Sequence, residues 1–438
     1  METLKKMSKI SIFWYRRDLR LHDNSGLFHA LKSAEKVLPI FIFDANILNR
    51  LPKDDARVSF IHSELTEMNQ YLMTFNTSIQ LYHGSPKEIF VKLIKKYQIV
   101  NVFTNHDYEP YGIKRDQEIK AYLNANQIQF HSYKDQVIFE RNEITKQDGN
   151  PYVVYTPYSK KWIQAYQEIG KQYYPSEDLL NQFYKEIDPR NLTLSDIGFT
   201  KTTNSIQNYI FNSRIINEYE ETRNFPALDN TSKLGPHLRF GSVSIRQMVA
   251  KAKSHENQTF LKELIWREFF MQILWHFPHT YKDSFKSKYD RIVWRNDEND
   301  FKKWCDGNTG YPLVDAGMRQ LNKTGFMHNR IRMLVGSFLC KHLLIDWRWG
   351  EAYFAEKLHD YEMSSNVGNW QWVAGTGVDA APYFRIFNPT TQIQKFDKNL
   401  QYIEKWVPDF QELSYPKPMV DHKFARERCL KTYKEALA

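Results

Sequence analysis

Short runs of β-branched and aromatic residues punctuate the first third of the chain. At 10–15, 37–43, 79–83, 99–104 and 128–133 they have the length and composition of strands. Between them, near 25–35, 56–73, 86–97 and 113–125, apolar positions recur at helical spacing. A parallel strand can return only through a crossover, so strands alternating with helices of this length predict a parallel sheet covered on both faces. Ligands on such sheets lie beyond the carboxyl ends of the strands. That rule brings residues 14–23, 44–49 and 105–111 to one edge.

The rhythm stops near residue 135. Asp148-Gly149-Asn150-Pro151 is a turn signal, and 174–204 is polar with few periodic apolar positions. From about 205 onward helical spacing dominates, with long patterns at 260–277 and 313–344. The expected organisation is an α/β domain with a doubly wound parallel sheet over 1–135, a connector crossing the surface over 136–204, and an all-α domain over 205–438. No internal repeat or low-complexity tract is visible.

Composition narrows the class. The 438 residues exceed one typical core, and 42% hydrophobic with 25% charged residues describes a globular chain. The formal charge of +9 is compatible with an anionic partner such as nucleic acid, without demanding one. Three widely spaced cysteines (Cys305, Cys340, Cys429) form no CxxC pair, which argues against a disulfide framework and a cysteine zinc site, and for a reducing compartment. Residues 1–7 are charged and lead into no signal-type apolar run, and no stretch of about 18 apolar residues is present, so no leader and no membrane span are expected. Nine of the eleven tryptophans lie between Trp266 and Trp406. For any one of them a place in an aromatic core is as good a reading as a functional one.

Several constellations can carry chemistry. Asp360 precedes Tyr361-Glu362-Met363-Ser364-Ser365-Asn366-Val367-Gly368-Asn369-Trp370-Gln371-Trp372, which combines π-faces with amides and carboxylates. That mixture suits a heterocycle with polar edges, either an aromatic cofactor or nucleobases. Thr231-Ser232-Lys233-Leu234-Gly235 sets hydroxyls and one cation before a helix start, as in a phosphate cradle, although an ordinary N-cap reads the same way. Tyr219 and Arg223, four apart, share a helix face. Glu263, Trp266 and Arg267 also share one, where an acid, an indole and a guanidinium could grip a base; a surface ion pair beside a core tryptophan is the plainer alternative. In His328-Asn329-Arg330-Ile331-Arg332-Met333 the Asn329 amide can read a base edge, Arg330 can meet phosphate and Met333 can pack on a ring. A solvated basic face competes with that reading. Arg332 faces elsewhere, toward a pairing with Asp360. His276 and His279 have metal-like spacing but no third ligand, so no metal site is expected. Gly375-Thr376-Gly377-Val378-Asp379-Ala380 matches a dinucleotide fingerprint by letter but follows no strand, and is discounted.

Taken as an ordered set these residues resemble the photolyase/cryptochrome family. The run Phe13-Trp14-Tyr15-Arg16-Arg17-Asp18-Leu19-Arg20-Leu21-His22-Asp23-Asn24 is similar to the family's N-terminal signature. So are residues 231–234, 263–269, 310–319, 366–376 and 379–389, and the similarity spans nearly the whole chain. The resemblance implies an N-terminal domain able to hold an antenna chromophore and a helical domain holding FAD bent into a U. Family positions for FAD fall on Tyr219, Thr231, Ser232, Lys233, Leu234, Gly235, Arg332, Asp360, Tyr361, Glu362 and Asn366. The family's amide facing flavin N5 falls on Asn366, where asparagine goes with a stable reduced anionic flavin. Its electron-donating tryptophans fall on Trp370, Trp347 and Trp294, running outward from the flavin.

Among the branches, the chain is most like the class I enzymes that repair cyclobutane pyrimidine dimers. Relatives acting on the (6-4) photoproduct look as though they need two histidines where Asn329 and Met333 stand here. The dimer pocket then maps to Asn329, Met333, Glu263, Trp266 and Trp372, with Trp266 and Trp372 flanking the lesion and Glu263 on its base edge. Arg223, Arg330 and Gln392 would hold the DNA strand, with Arg267 beside the pocket. Extrusion of the target nucleotide is a known property of photolyases as a class and is not read from this chain. The resemblance implies that excited reduced FAD donates an electron to the flipped-out dimer, the ring opens, and the electron returns, in double- or single-stranded DNA.

One departure stands out. Lys233 replaces a common arginine in the phosphate loop and loses bidentate geometry. Glu109 resembles a folate-contacting acid, which leaves methenyltetrahydrofolate, a deazaflavin or no antenna open. The rival function is a cryptochrome-type blue-light photoreceptor without repair activity. A long disordered C-terminal extension would mark it, and the short tail over 409–438 predicts none. The chain is expected to be a cytoplasmic monomer, with the nucleoid if bacterial.

Overall fold

The computed structural model describes residues 9–188, 190 and 192–438, so the reading of residues 1–7 lies outside the described residues. The chain divides into two compact units. One comprises the residues up to Glu140 with Tyr166–Gln207 and Gly235–Lys251; the other comprises Arg141–Ala165, Asn208–Leu234 and Ala252–Ala438. The stretch read as a connector thus contributes to both.

In the first unit the strands are β1 (Lys9–Tyr15), β2 (Lys36–Asp44), β3 (Gln80–Gly84), β4 (Gln98–Asn105) and β5 (Gln129–Tyr133). They form one parallel sheet in the order β3-β2-β1-β4-β5. Alternation explains why β1 and β2 are apolar throughout. Phe13, Tyr15, Phe41 and Phe43 bury into one core, while Ile10, Ile12, Trp14, Leu38, Ile40 and Ile42 bury into another on the opposite face. The crossover helices Ala56–Met73 and Pro86–Lys96 start at Asp55 and Ser85, whose side chains accept from the backbone N–H groups of Arg57 and Glu88.

The stretch 174–204 is more than a path over the surface. Leu180, Phe183, Ile197 and Phe199 are buried in the first core, and Tyr184 N donates to the Val37 carbonyl at 2.8 Å. Its apolar residues enter singly from 3-10 turns (Ser176–Gln182, Ser195–Ile197), so they leave no periodic trace.

The second unit is helical. Its central helix Met363–Ala374 packs against Thr259–His276, Asn329–Ser337 and Trp347–Lys357. The pattern at 313–344, read as one helical run, is broken. Helix Pro312–Thr324 ends at Gly325, in the left-handed region at φ +62, and a new helix Asn329–Ser337 starts at His328. A side chain at Gly325 would collide with the His359 ring at 2.1 Å, so a glycine is required there. Both segments bury against the same core, which carried the apolar period across the gap. A single π-turn, Phe338–His342, follows. No helix among the described residues is long and apolar enough to cross a membrane.

Candidate functional site: a polar cavity in the helical unit

Asn329, Arg332, Met333, Asp360, Tyr361, Glu362, Asn366, Asn369 and Trp370 line one half-open cavity. Helices Asn329–Ser337 and Met363–Ala374, with the stretch 360–362 that leads into the second, supply them. His328 starts helix Asn329–Ser337 by accepting from Arg330 N through Nδ1 at 3.2 Å. Burial, reinforced by the charges of Lys233, Arg332 and Arg330, lowers its imidazole to about 4, so it is neutral near neutral pH and free to accept. Arg332 Nη2 meets Asp360 Oδ2 at 2.9 Å, the pairing expected from the sequence.

Helix Met363–Ala374 presents Asn366 and Trp370 one turn apart. Asn366 donates through Nδ2 to the backbone carbonyl and the Oε1 of Glu351, at 3.1 and 3.0 Å. Trp370 is buried, with Phe354 at 5.0 Å and Trp304 at 6.2 Å between ring centroids. Trp347 is buried in the same core, and Trp294 packs at its margin against Tyr433. Gly350 makes room for Trp370, since a β-carbon there would lie 2.1 Å from the indole.

The other candidates fall nearby or elsewhere. Glu263 Oε1 accepts from Arg223 Nη1 at 2.5 Å, and the pair keeps the Arg223 guanidinium charged against its burial. Arg223 also lies over the Tyr219 ring at 5.3 Å. Burial, then the neighbouring Glu263 charge, holds the Tyr219 phenol well above its ordinary range. Tyr155 stacks on Trp266 with centroids 3.7 Å apart and covers one face of the indole. Arg267 meets Glu362 at 3.7 Å. Arg330 bonds the Asn224 side-chain oxygen and lies over Phe396 at 4.4 Å; burial and the charges of Arg223 and Arg385 draw its guanidinium down. Trp372 and Gln392 are half-buried, and Asn329 is exposed at the cavity mouth.

In the loop at 231–234, Ser232 Oγ accepts from Leu234 N at 3.3 Å. Lys233, at φ +54, is paired with Asp229 at 2.5 Å and lies over Phe326 at 3.7 Å. Gly235 opens the short helix Gly235–Phe240, which belongs to the first unit. Glu109, also in the first unit, is held by Arg239 at 2.7 Å and Arg17 at 3.4 Å. Gly375 to Gly377 close a helix rather than open one, Gly375 being its left-handed cap. No cluster able to hold a metal exists among the described residues.

The sequence reading missed four participants. Glu351 stands behind Asn366, Phe354 and Trp304 flank Trp370, and Tyr155 covers Trp266. For Glu351 and Phe354 the available signal is the aromatic density of 347–354; Trp304 and Tyr155 leave none of that kind.

The cavity asks for a polar planar guest. Asp360 Oδ1, on the cavity wall, is buried without a hydrogen-bond partner among the described residues. A buried acceptor in that state requires a donor from a ligand or water. Arg332 offers charge for phosphate, and Trp370 and Met333 offer apolar surface for a ring. These residues fit a flavin nucleotide, and the class they define is a flavoprotein.

The comparisons agree. The family model described as the FAD binding domain of DNA photolyase matches residues 260–414, and the DNA photolyase model matches residues 11–177. A deoxyribodipyrimidine photo-lyase of Alkalihalophilus pseudofirmus is 34% identical, over 96% of this chain and 97% of that protein. A bacterial class III photolyase from Agrobacterium tumefaciens superposes with a TM-score of 0.86 at 32% identity, covering 100% of this chain and 99% of that one. A cryptochrome of Synechocystis sp. superposes at 0.83 with 25% identity, covering 98% and 100%. The chain belongs to the DNA photolyase family of the photolyase/cryptochrome group, and its enzyme class is that of the photo-lyases. Its cofactor is FAD.

Proposed function

We propose that this chain repairs cyclobutane pyrimidine dimers in DNA under light. The observation that carries the proposal is one cavity wall. Asn329 and Met333, read as dimer contacts, and Asn366 and Trp370, read as neighbours of the flavin, line the same cavity. A lesion entering at the exposed Asn329 therefore reaches the depth at which a bound ring would lie. The names of relatives such as the Alkalihalophilus protein support the same substrate.

Bound there, FAD supplies the electron that light promotes. Arg332 and Asp360 would anchor it, with Tyr361, Glu362 and Tyr219 around it and Thr231, Ser232 and Leu234 at its phosphates. The rest of the work belongs to side chains. Glu263, paired with Arg223, offers carboxylate oxygens to the N–H edges of the damaged bases and keeps them oriented. Trp266 and Trp372 provide apolar walls for rings that have left the helical stack. Arg223 and Arg330 neutralise backbone phosphates, and the crowding of Arg330 by Arg223 and Arg385 makes an anion welcome there. Gln392, on helix Pro389–Phe396, and Arg267 bound the same region. Trp370, Trp347 and Trp294 have oxidisable rings in one core cluster, which suits them to resupplying electrons from the surface.

The similarity to a Synechocystis cryptochrome supports a second reading, light sensing without repair. One assay separates them. Pre-reduced protein is mixed with thymine-dimer DNA and illuminated at near-UV or blue wavelengths. Loss of dimers supports repair; a flavin-loaded protein that leaves dimers intact supports the sensor.

A further inference from the structure

A half-buried acid stands behind the cavity wall. Glu351, on helix Trp347–Lys357, receives the Asn366 amide twice, at its Oε1 (3.0 Å) and its backbone carbonyl (3.1 Å). The Tyr361 hydroxyl donates to the same Oε1 at 3.4 Å. Two acceptors on one side decide which end of the amide faces them. A carbonyl oxygen has no hydrogen to give, so the NH2 group must point to Glu351. Turned over, Asn366 would set its own oxygen against two others and leave them unsatisfied. Asn366 Oδ1 makes no hydrogen bond to any described residue, and the residue lines the cavity.

We propose that Glu351 is a positioning residue: it locks the Asn366 amide so that the flavin cavity is always offered a hydrogen-bond acceptor at that wall. The inference rests on the reading of this cavity as the flavin site. Its consequence follows from the chemistry of the ring. Oxidised isoalloxazine carries lone pairs on its central nitrogens, and two-electron reduction places a hydrogen on one of them. A fixed acceptor matches that N–H and opposes the lone pair. Glu351 therefore favours the reduced cofactor without touching it. A free asparagine would turn its NH2 toward the oxidised ring and lose this bias. Burial raises the Glu351 carboxyl, with the bonds from Asn366 and Tyr361 opposing the rise. Protonation on its other oxygen leaves Oε1 an acceptor, so the lock holds in either state.

The test measures the midpoint potential of the bound flavin by spectroelectrochemical titration. Glu351→Met removes the side-chain acceptor and Glu351→Gln keeps one. Glu351→Met is expected to shift the equilibrium about tenfold toward the oxidised form, about 30 mV for a two-electron couple. Glu351→Gln should stay within about threefold of wild type. In an Asn366→Ala background Glu351→Met should add nothing, because the acid acts through the amide. An unshifted potential in Glu351→Met, or the same shift without Asn366, overturns the inference. Should Glu351→Met fail to fold, side-chain amide exchange in asparagine-labelled wild-type and Glu351→Gln protein decides: slow exchange at Asn366 supports the lock, and fast exchange in wild type overturns it. Wild-type protein purified and reconstituted without bound flavin would overturn the site reading, and the inference with it; flavin bound at an unshifted potential overturns the inference alone.

Discussion

His328 makes the cavity wall sensitive to acid. It starts the helix carrying Asn329, Arg332 and Met333, and it does so as a neutral acceptor. Burial, with Lys233, Arg332 and Arg330 close by, lowers its pKa from 6.5 to about 4. The unfolded chain therefore binds a proton at higher pH than the folded one. The stability tied to this difference is complete above the unfolded value and is lost as pH falls toward the folded value. The whole difference is worth about 3 kcal/mol, of which about 2 kcal/mol disappears between pH 7 and pH 5. Below about pH 4 nothing more is lost from this group. His328→Asn isolates the effect, because asparagine is a good helix start and does not titrate there. Urea unfolding of both proteins at intervals from pH 7.5 to about pH 4.5 should show wild type losing about 2 kcal/mol more than the variant. The added slope should fall below pH 6.5. Parallel pH profiles would refute the reasoning, since His328 would then titrate alike in both states.

Other perturbations test the remaining parts. Glu263→Ala should lower dimer repair about tenfold or more while flavin content stays near wild type, because it removes a charged hydrogen-bond partner of the substrate; equal losses of both would refute its role. The same variant should cost under about 1 kcal/mol in unfolding, since the ion pair with Arg223 is partly exposed. Trp370→Phe should abolish most photoreduction of oxidised flavin yet spare repair by chemically pre-reduced protein; unchanged photoreduction would exclude it from the electron route. Gly350→Ala should drive a methyl group into Trp370, where it would lie 2.1 Å from the ring. Overpacking of about 1–3 kcal/mol, offset by about 1 kcal/mol of helix propensity, predicts a net loss of up to about 2 kcal/mol in thermal or urea unfolding. A raised midpoint would show that the indole can yield.

What was legible in the chain depended on whether the physical constraint was local. The strands of the first unit could be read because a sheet buried on both faces demands unbroken apolar runs, as in 37–43. The break at 325–328 could not, because Gly325 is set by the His359 ring beside it, and that neighbour comes from tertiary packing. Leu180, Phe183, Ile197 and Phe199 escaped notice for a related reason: single anchors from irregular turns have no period. The Arg332–Asp360 pair was foreseen from face geometry within one helix and an acid near the cavity motif. Glu351 was not, since its partner lies 15 residues away on another helix and its relevance is an orientation, which no residue pattern encodes.

The central claim is that the helical unit brings a flavin and an extruded dimer into one cavity. Single-turnover illumination of pre-reduced protein bound to a thymine-dimer oligonucleotide tests it most directly, with intact thymines counted per flavin. The account predicts wavelength-dependent restoration that disappears in darkness and falls in Glu263→Ala. Stable binding of the oligonucleotide with no restoration under light, in protein shown to carry reduced flavin, would contradict it.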